Sequence, residues 1–295
     1  MPAAWIPITV FAAAAQTVRN AAQRHLTPQL GTLGATLVRF LYGVPFAALW
    51  LLAVDLAVPG AEVPSPDAAF LAWLFVGAVG QIGAMALLLK VMQERNFALG
   101  VAWSKTEVLQ VAIFGLLFLG DPVSFGAALA VILGTAGVFL LSSGWREGWS
   151  ARMAGFGIAC GGLFAISAVG FRGAELALPP GSFIVTAAFT LVCAQALQSV
   201  LLGGWLLVRE PALVVRVLRA WRISILAGFM GAAASAGWFT AFAIEPVAHV
   251  RTLGLIELVF SYVVSRRLFR ERLGALEFAG MALLAAGVAV ITLAR

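Results

Sequence analysis

The sequence predicts an all-α integral membrane protein of about ten transmembrane helices, and three observations predict it. Hydrophobic residues make up 62% of the 295 positions and charged residues only 11%, with mean hydropathy +1.01, whereas soluble domains carry about 25% charge. The apolar runs last about twenty residues, the length that crosses a hydrocarbon core as a helix and about twice a barrel strand. The chain also resembles itself at a shift near 150 residues, the mark of an internal repeat. Lipid offers backbone N–H and C=O groups no partners, so each spanning segment must bond internally, and long apolar runs do so as helices.

The helices fall, in order, at 4–22, 31–53, 69–91, 98–118, 124–143, 152–174, 182–207, 222–243, 248–268 and 275–293. The first has no basic leader and ends in Arg19 and Asn20, so it is expected to stay as a helix and not to be cleaved. Thr27-Pro28 divides it from the second, and Pro59-Gly60 with Pro64 and Pro66 divides the second from the third. The third carries Gly77, Gly80 and Gly83, small residues that let backbones approach in lipid. The fourth follows Arg95 and holds Glu107, and Asp121-Pro122 separates it from the fifth. The sixth, after Arg146, carries Gly157, Gly161 and Gly162, and Pro179-Pro180-Gly181 precedes the seventh. The eighth contains the small-residue stretch Gly231–Gly237, and Glu245-Pro246 leads into the ninth. Arg266, Arg267, Arg270 and Arg272 lie between the ninth and the tenth.

Arginines crowd the odd-numbered connections (Arg24, Arg95, Arg146, Arg209, Arg216, Arg219 and the four after the ninth helix), while 54–68 holds Asp55, Glu62 and Asp67 instead. By the positive-inside rule the odd connections face the cytoplasm, which predicts a multi-pass protein of the cell inner membrane with both termini periplasmic. The net charge of +6 is then loop charge, with no nucleic-acid partner expected. Trp50, Trp145, Trp149, Trp205 and Trp221 lie near helix ends as interfacial anchors. Cys160 and Cys193 sit inside apolar segments, which gives neither a disulfide framework nor a metal site.

Shifting the chain by 150 lays 98–143 on 248–293, with Glu107 on Glu257 and Asp121 on Glu271. A shift of 153 lays Phe11, Arg19 and Ala21 on Phe164, Arg172 and Ala174. Five helices per copy is odd, so the second copy enters the membrane upside down. The expectation is two inverted five-helix repeats, 1–150 and 151–295, with a site near the midplane between them.

On these paired glutamates the sequence resembles the drug/metabolite transporter superfamily, in its EamA-type branch. The family pattern is a Glu-Pro, an apolar helix, Gly-Glu-Arg fourteen residues on, and a Gly-rich final helix. Here Glu107-Val108 leads to Gly120-Asp121, and Glu257-Leu258 leads to Arg270-Glu271-Arg272, each without the proline. The resemblance implies export or exchange of amino acids, related metabolites or drugs, without fixing the substrate.

A charge at mid-bilayer costs at least about 2.5–3.5 kcal/mol, so each one needs a reason. Trp103, Glu107, Gln110 and Phe114 share a helix face, and Lys105 lies about 200° from Glu107 at 100° per residue. That angle argues against a neighbouring pair. Glu107 and Glu257 read as cavity carboxylates and proton-coupling candidates, or as members of an ion pair with Lys105, Arg39 or Arg19. Gln16, Arg19, Asn20 and Gln23 form one polar stripe and Thr32, Thr36 and Arg39 another, which together predict a water-filled cavity open to the cytoplasm. Arg39 lies about 5 Å from its helix centre, too deep to snorkel comfortably. Substrate-binding candidates are therefore Arg39, Glu107, Glu257, Trp103, Trp238, Arg19, Lys105 and Gln81. Met85, Gln195, Gln198, Ser235, Phe239 and Phe242 are further lining candidates. Arg172 and Glu175 read as a structural pair at a helix end, and Arg251 as snorkelling outward.

There is no P-loop and no HExxH, and His25 and His249 stand isolated. No enzymatic site, cofactor or metal is expected. The expected function is secondary transport, by alternating access, of a small anionic or zwitterionic metabolite such as an amino acid, with proton coupling open. The alternatives are an exporter of cationic amines or drugs, or a membrane-embedded lipid-modifying or accessory protein. Expected partners are the small-molecule substrate and the lipid bilayer, with the chain a monomer or homodimer.

Overall fold

A computed structural model describes residues 4–58, 62–94, 101, 104–105, 107–120, 124–142 and 151–268, with short pieces between 279 and 290. Those residues are mostly helical and contain no strand. They form α1 (Trp5–Leu41), α2 (Val44–Ala57), α3 (Ala68–Glu94), α4 (Glu107–Phe114), α5 (Phe125–Ser142) and α6 (Ala151–Ala177). Then come α7 (Phe183–Arg209), α8 (Pro211–Arg219), α9 (Trp221–Ile244), α10 (Val247–Leu253) and α11 (Glu257–Leu268). A π-turn, Gly115–Leu119, extends α4, and a 3-10 turn, Gly254–Ile256, joins α10 to α11.

Six stretches among the described residues are long and apolar enough to cross a membrane. The first, Trp5–Ala57, is 53 residues long, about 80 Å as a straight helix against a hydrocarbon core of about 30 Å. It folds back at Gly31, where φ is 66° and ψ 176°, a conformation open to glycine alone. Gln23 Nε2 donates to the carbonyl of Ala35 at 2.7 Å across that break, which an unbroken helix, rising about 18 Å over twelve residues, would forbid. Thus 4–22 and 31–53 lie in one apolar stretch, and the reversal comes at Gly31, three residues beyond the expected Pro28. Four further stretches cover the expected helices at 69–91, 152–174, 182–207 and 222–243, and the sixth, Val247–Val264, covers most of 248–268. The fourth and fifth expected helices are represented by the shorter apolar helices Gln110–Leu119 and Ala128–Gly137. Most of 98–106 and of 275–293 lies outside the described residues.

One element was not expected. Pro211 opens α8 at its first position, and Leu213, Val214 and Val217 turn inward while Arg216 and Arg219 sit in the last turn. A short amphipathic helix of this kind suits the membrane interface. It lies in sequence between Arg209 and Arg222 and packs on α1 and α7.

The most extensive packing joins α1 to α9 and α3 to α6. The second pair depends on close backbone approach, since a Cβ on Gly170 would stand 2.7 Å from the Gly77 nitrogen. Outward positions carry large apolar side chains such as Leu56, Val200, Val208 and Phe125, as lipid contact requires.

Among the described residues the interior holds two large apolar clusters, both of which contribute to the wall of a polar cavity. One holds Leu26, Leu30, Leu88, Met92, Leu206 and Val217. The other holds Trp5, Phe70, Phe171, Phe239, Phe242 and Val250. Along α1, α3 and α9 the polar residues come at the same level: Gln16 to Gln23, Gln81 and Ser235. This layer carries the site.

Candidate functional site

Glu107 and Glu257 each stand at the first residue of a helix, α4 and α11. The helix tightens beside both: Val108 N–H donates to the Lys105 carbonyl, an i to i+3 bond, and the 3-10 turn precedes Glu257.

Glu257 is wholly buried and satisfied on both oxygens. Gln16 Nε2 donates to Oε2 at 2.7 Å and Asn20 Nδ2 to Oε1 at 3.1 Å, while Lys105 Nζ lies 2.5 Å from Oε2. Around it, Trp238 Nε1 donates to Gln16 Oε1 at 2.9 Å, and Arg19 donates from Nε and Nη2 to Asn20 Oδ1 at 3.3 and 2.7 Å. Glu107 is held more loosely, with Oε1 3.7 Å from Lys105 Nζ and 3.5 Å from Arg251 Nη1. The Arg251 guanidinium also lies 4.6 Å from the Trp238 ring centroid and 5.1 Å from that of Phe242, close enough for cation–π attraction.

Arg39 is different. It is 2% exposed and donates from Nη2 to Ser235 Oγ at 3.2 Å, but its Nε and Nη1 have no hydrogen-bond partner among the described residues. Nη1 of Arg19 and Nε of Arg251 are likewise without one. Gly231 admits both stems: a Cβ there would stand 3.1 Å from Arg39 Cγ and 3.4 Å from Arg19 Cδ.

Gln16, Asn20, Arg39, Lys105, Glu107, Ser235, Trp238, Phe242, Arg251 and Glu257 line one cavity, with Gln81, Ser104, Phe164, Phe171 and Phe239 in its wall, and Arg19 lies behind it against Asn20. Its free volume is about 10 Å³, room for roughly one water. Gln198 Nε2 donates to Gln81 Oε1 at 2.9 Å, tying α7 to α3 beside it.

The structure therefore brings seven of the eight candidates together: Arg39, Glu107, Glu257, Trp238, Arg19, Lys105 and Gln81. Trp103 lies outside the described residues.

Several expectations are corrected. Lys105 does contact Glu107, and it binds Glu257 more closely, because the segment before α4 is tightened and a long side chain reaches between the two halves. Arg251 points inward, since the aromatic faces of Trp238 and Phe242 and the Glu107 carboxylate receive it. The polar stripe of α1 does not border an open aqueous cavity in this conformation: Gln16, Arg19, Asn20 and Gln23 are all buried and take protein partners. Arg172 does not pair with Glu175, whose two carboxylate oxygens have no hydrogen-bond partner among the described residues. Its Nη1 donates to the carbonyls of Phe242 and, at 3.0 Å, of Glu245, which joins the C-terminal ends of α6 and α9. His249 is not isolated, because its Nδ1 lies 2.7 Å from Glu245 Oε1. Met85 packs in the apolar core.

Arg251 is the residue sequence reasoning missed. It belongs to the opposite half from Glu107, and only the approach of α10 to α4 joins them, so no spacing pairs 107 with 251. Gly231 stood out in the sequence only as one of several small residues; its role as the seat of two arginines needs coordinates.

The model of the EamA-like transporter family, which lies within the drug/metabolite transporter superfamily, matches residues 3–143. The glutamate-motif resemblance is upheld over that half. No curated protein matches the chain significantly. One solved structure, described only as a crystal structure of a protein, superposes with a TM-score of 0.70 at 18% identity, over 99% of this chain and 97% of that one. The fold is therefore shared over the full length.

Proposed function

From a first half that is EamA-like, and hence from a multi-pass membrane transporter, we propose a secondary transporter of a small anionic or zwitterionic metabolite. It works by alternating access in the cell inner membrane, with the arginine-rich connections and α8 at the cytoplasm and both termini periplasmic. The observation that carries the reading is Arg39: a guanidinium buried at mid-span, facing the cavity, with two nitrogens unmet. Leaving buried charged donors unmet costs several kcal/mol, and an anionic group on the solute would meet them.

Alternating access has its own support. The chain divides as 1–150 and 151–295, two inverted repeats of five helices each, ten in all. An inverted exchange of first with sixth and third with eighth helix turns the α1–α9 contact into α6–α3, and these are the two most extensive contacts in the protein. The bonds Lys105–Glu257, Gln16–Glu257, Asn20–Glu257, Trp238–Gln16, Arg251–Glu107 and Arg39–Ser235 all cross from one half to the other. Rocking one half against the other would break and remake them, with an apolar cluster closing each side in turn. Glu107, held by two cations at 3.5 and 3.7 Å, is the carboxylate we assign to proton coupling, because Glu257 is occupied by three donors.

Counterflow into liposomes tests the assignment. Arg39→Ala is expected to slow exchange of anionic and zwitterionic solutes severely, with Arg39→Lys recovering part of it because it keeps the charge without the guanidinium fork. Intact exchange by Arg39→Ala would refute the role given to that residue. Exchange indifferent to a pH gradient would remove proton coupling.

A further inference from the structure

Arg19, Arg39, Lys105 and Arg251 are buried together with Glu107 and Glu257, each no more than 6% exposed. Four cations face two carboxylates, an excess of two positive charges. Among the described residues, Glu107 and Glu257 are the acidic side chains that line the cavity, so no other described carboxylate balances the excess there. Buried charge without counter-charge is strongly unfavourable.

The two carboxylates are already engaged. Glu257 takes Gln16, Asn20 and Lys105, and Glu107 lies between Lys105 and Arg251. What remains unmet is a set of donors: Nε and Nη1 of Arg39, Nη1 of Arg19 and Nε of Arg251. The ammonium group of an amino acid would enter as a fifth cation and find no free carboxylate. Carboxylate or phosphate oxygens would find guanidinium N–H groups, the strongest class of donor for them.

Resting on the transporter reading above, we propose that the substrate is a doubly charged oxyanion, a dicarboxylate or a phosphate dianion, and not an amino acid. Two negative charges cancel the excess of the site and leave the Lys105–Glu257 and Arg251–Glu107 contacts in place. A monoanion leaves one buried charge over, and a zwitterion leaves two. Selectivity is thus set by the charge balance of the layer, with Arg39 as its main unpaired member.

The test is counterflow of the purified full chain in liposomes at pH 8, with succinate, inorganic phosphate, lactate, alanine and ethanolamine as probes. Succinate or phosphate is expected to exchange at least about tenfold faster than lactate and alanine, and the faster of the two identifies the oxyanion. Arg39→Gln lowers the excess to one and should reduce the dianion-over-lactate ratio by about tenfold. Ser235→Asp, which sets a carboxylate against Arg39 Nη2, should do the same while keeping the arginine, and it serves if the first variant does not fold. Lactate or alanine exchanging as fast as both dianions would overturn this proposal and leave the transporter reading standing. A ratio unchanged in the folded variants would overturn it too. Exchange of ethanolamine alone, or of no probe, would overturn the anionic reading itself.

Discussion

Replacing Lys105 with methionine probes the buried charge network, because a single ammonium lies 2.5 Å from one carboxylate and 3.7 Å from the other. Methionine keeps most of the side-chain volume, so the cavity term is small. Glu257 would keep the Gln16 and Asn20 donors, and Glu107 would keep Arg251 at 3.5 Å, yet both would lose their shared cation. Breaking a buried pair by removing one partner costs about 3–5 kcal/mol. Glu257→Gln removes the other member and adds to the layer's positive excess, leaving Lys105 with Glu107 at 3.7 Å, so it should cost near the upper end of that range. Because the two side chains share one contact, the losses should not add, and the double variant is expected to recover about 2–3 kcal/mol relative to the sum. Equilibrium unfolding of the three variants in detergent, followed by helical circular dichroism, supplies the cycle. A coupling below about 0.5 kcal/mol would mean that the pair contributes nothing specific, and the account of the layer given above would fail.

Three further outcomes follow from single contacts. Gly170→Ala sets a Cβ 2.7 Å from the Gly77 backbone nitrogen and should destabilise by about 1–3 kcal/mol, while Gly204→Ala, with no atom within 4 Å, should be neutral or stabilising by up to about 1 kcal/mol; thermal unfolding compares them. Trp238→Phe removes the donor to Gln16 Oε1 and should cost about 1–3 kcal/mol while leaving a ring beneath Arg251, so substrate KM should shift less than for Arg39 variants. Arg172→Met unties the ends of α6 and α9 and should lower stability by about 2 kcal/mol, read as a fall in Tm of about 4–8 °C.

Composition and run length were enough to place this chain in lipid as helices, because the cost of unpaired backbone in hydrocarbon leaves few other solutions. The shift of 150 that laid Glu107 on Glu257 marked the two residues that prove to open α4 and α11. Charges at mid-span are rare enough to announce themselves, which is why Arg39, Lys105 and Arg19 were legible too. Their partners were not. Helical angle within one segment set Lys105 apart from Glu107, but a lysine reaches several ångströms and the local tightening redirects it. Arg251 read as a helix-end residue until the neighbouring aromatic faces and Glu107 gave it an inward destination. Sequence by itself thus determined the helical class, the apolar solvent and most of the charges that are buried, all of which are local or periodic properties. Only the tertiary structure decided which charges meet, which are satisfied and which guanidinium nitrogens are left over, because those bonds cross between halves of the chain that no spacing relates.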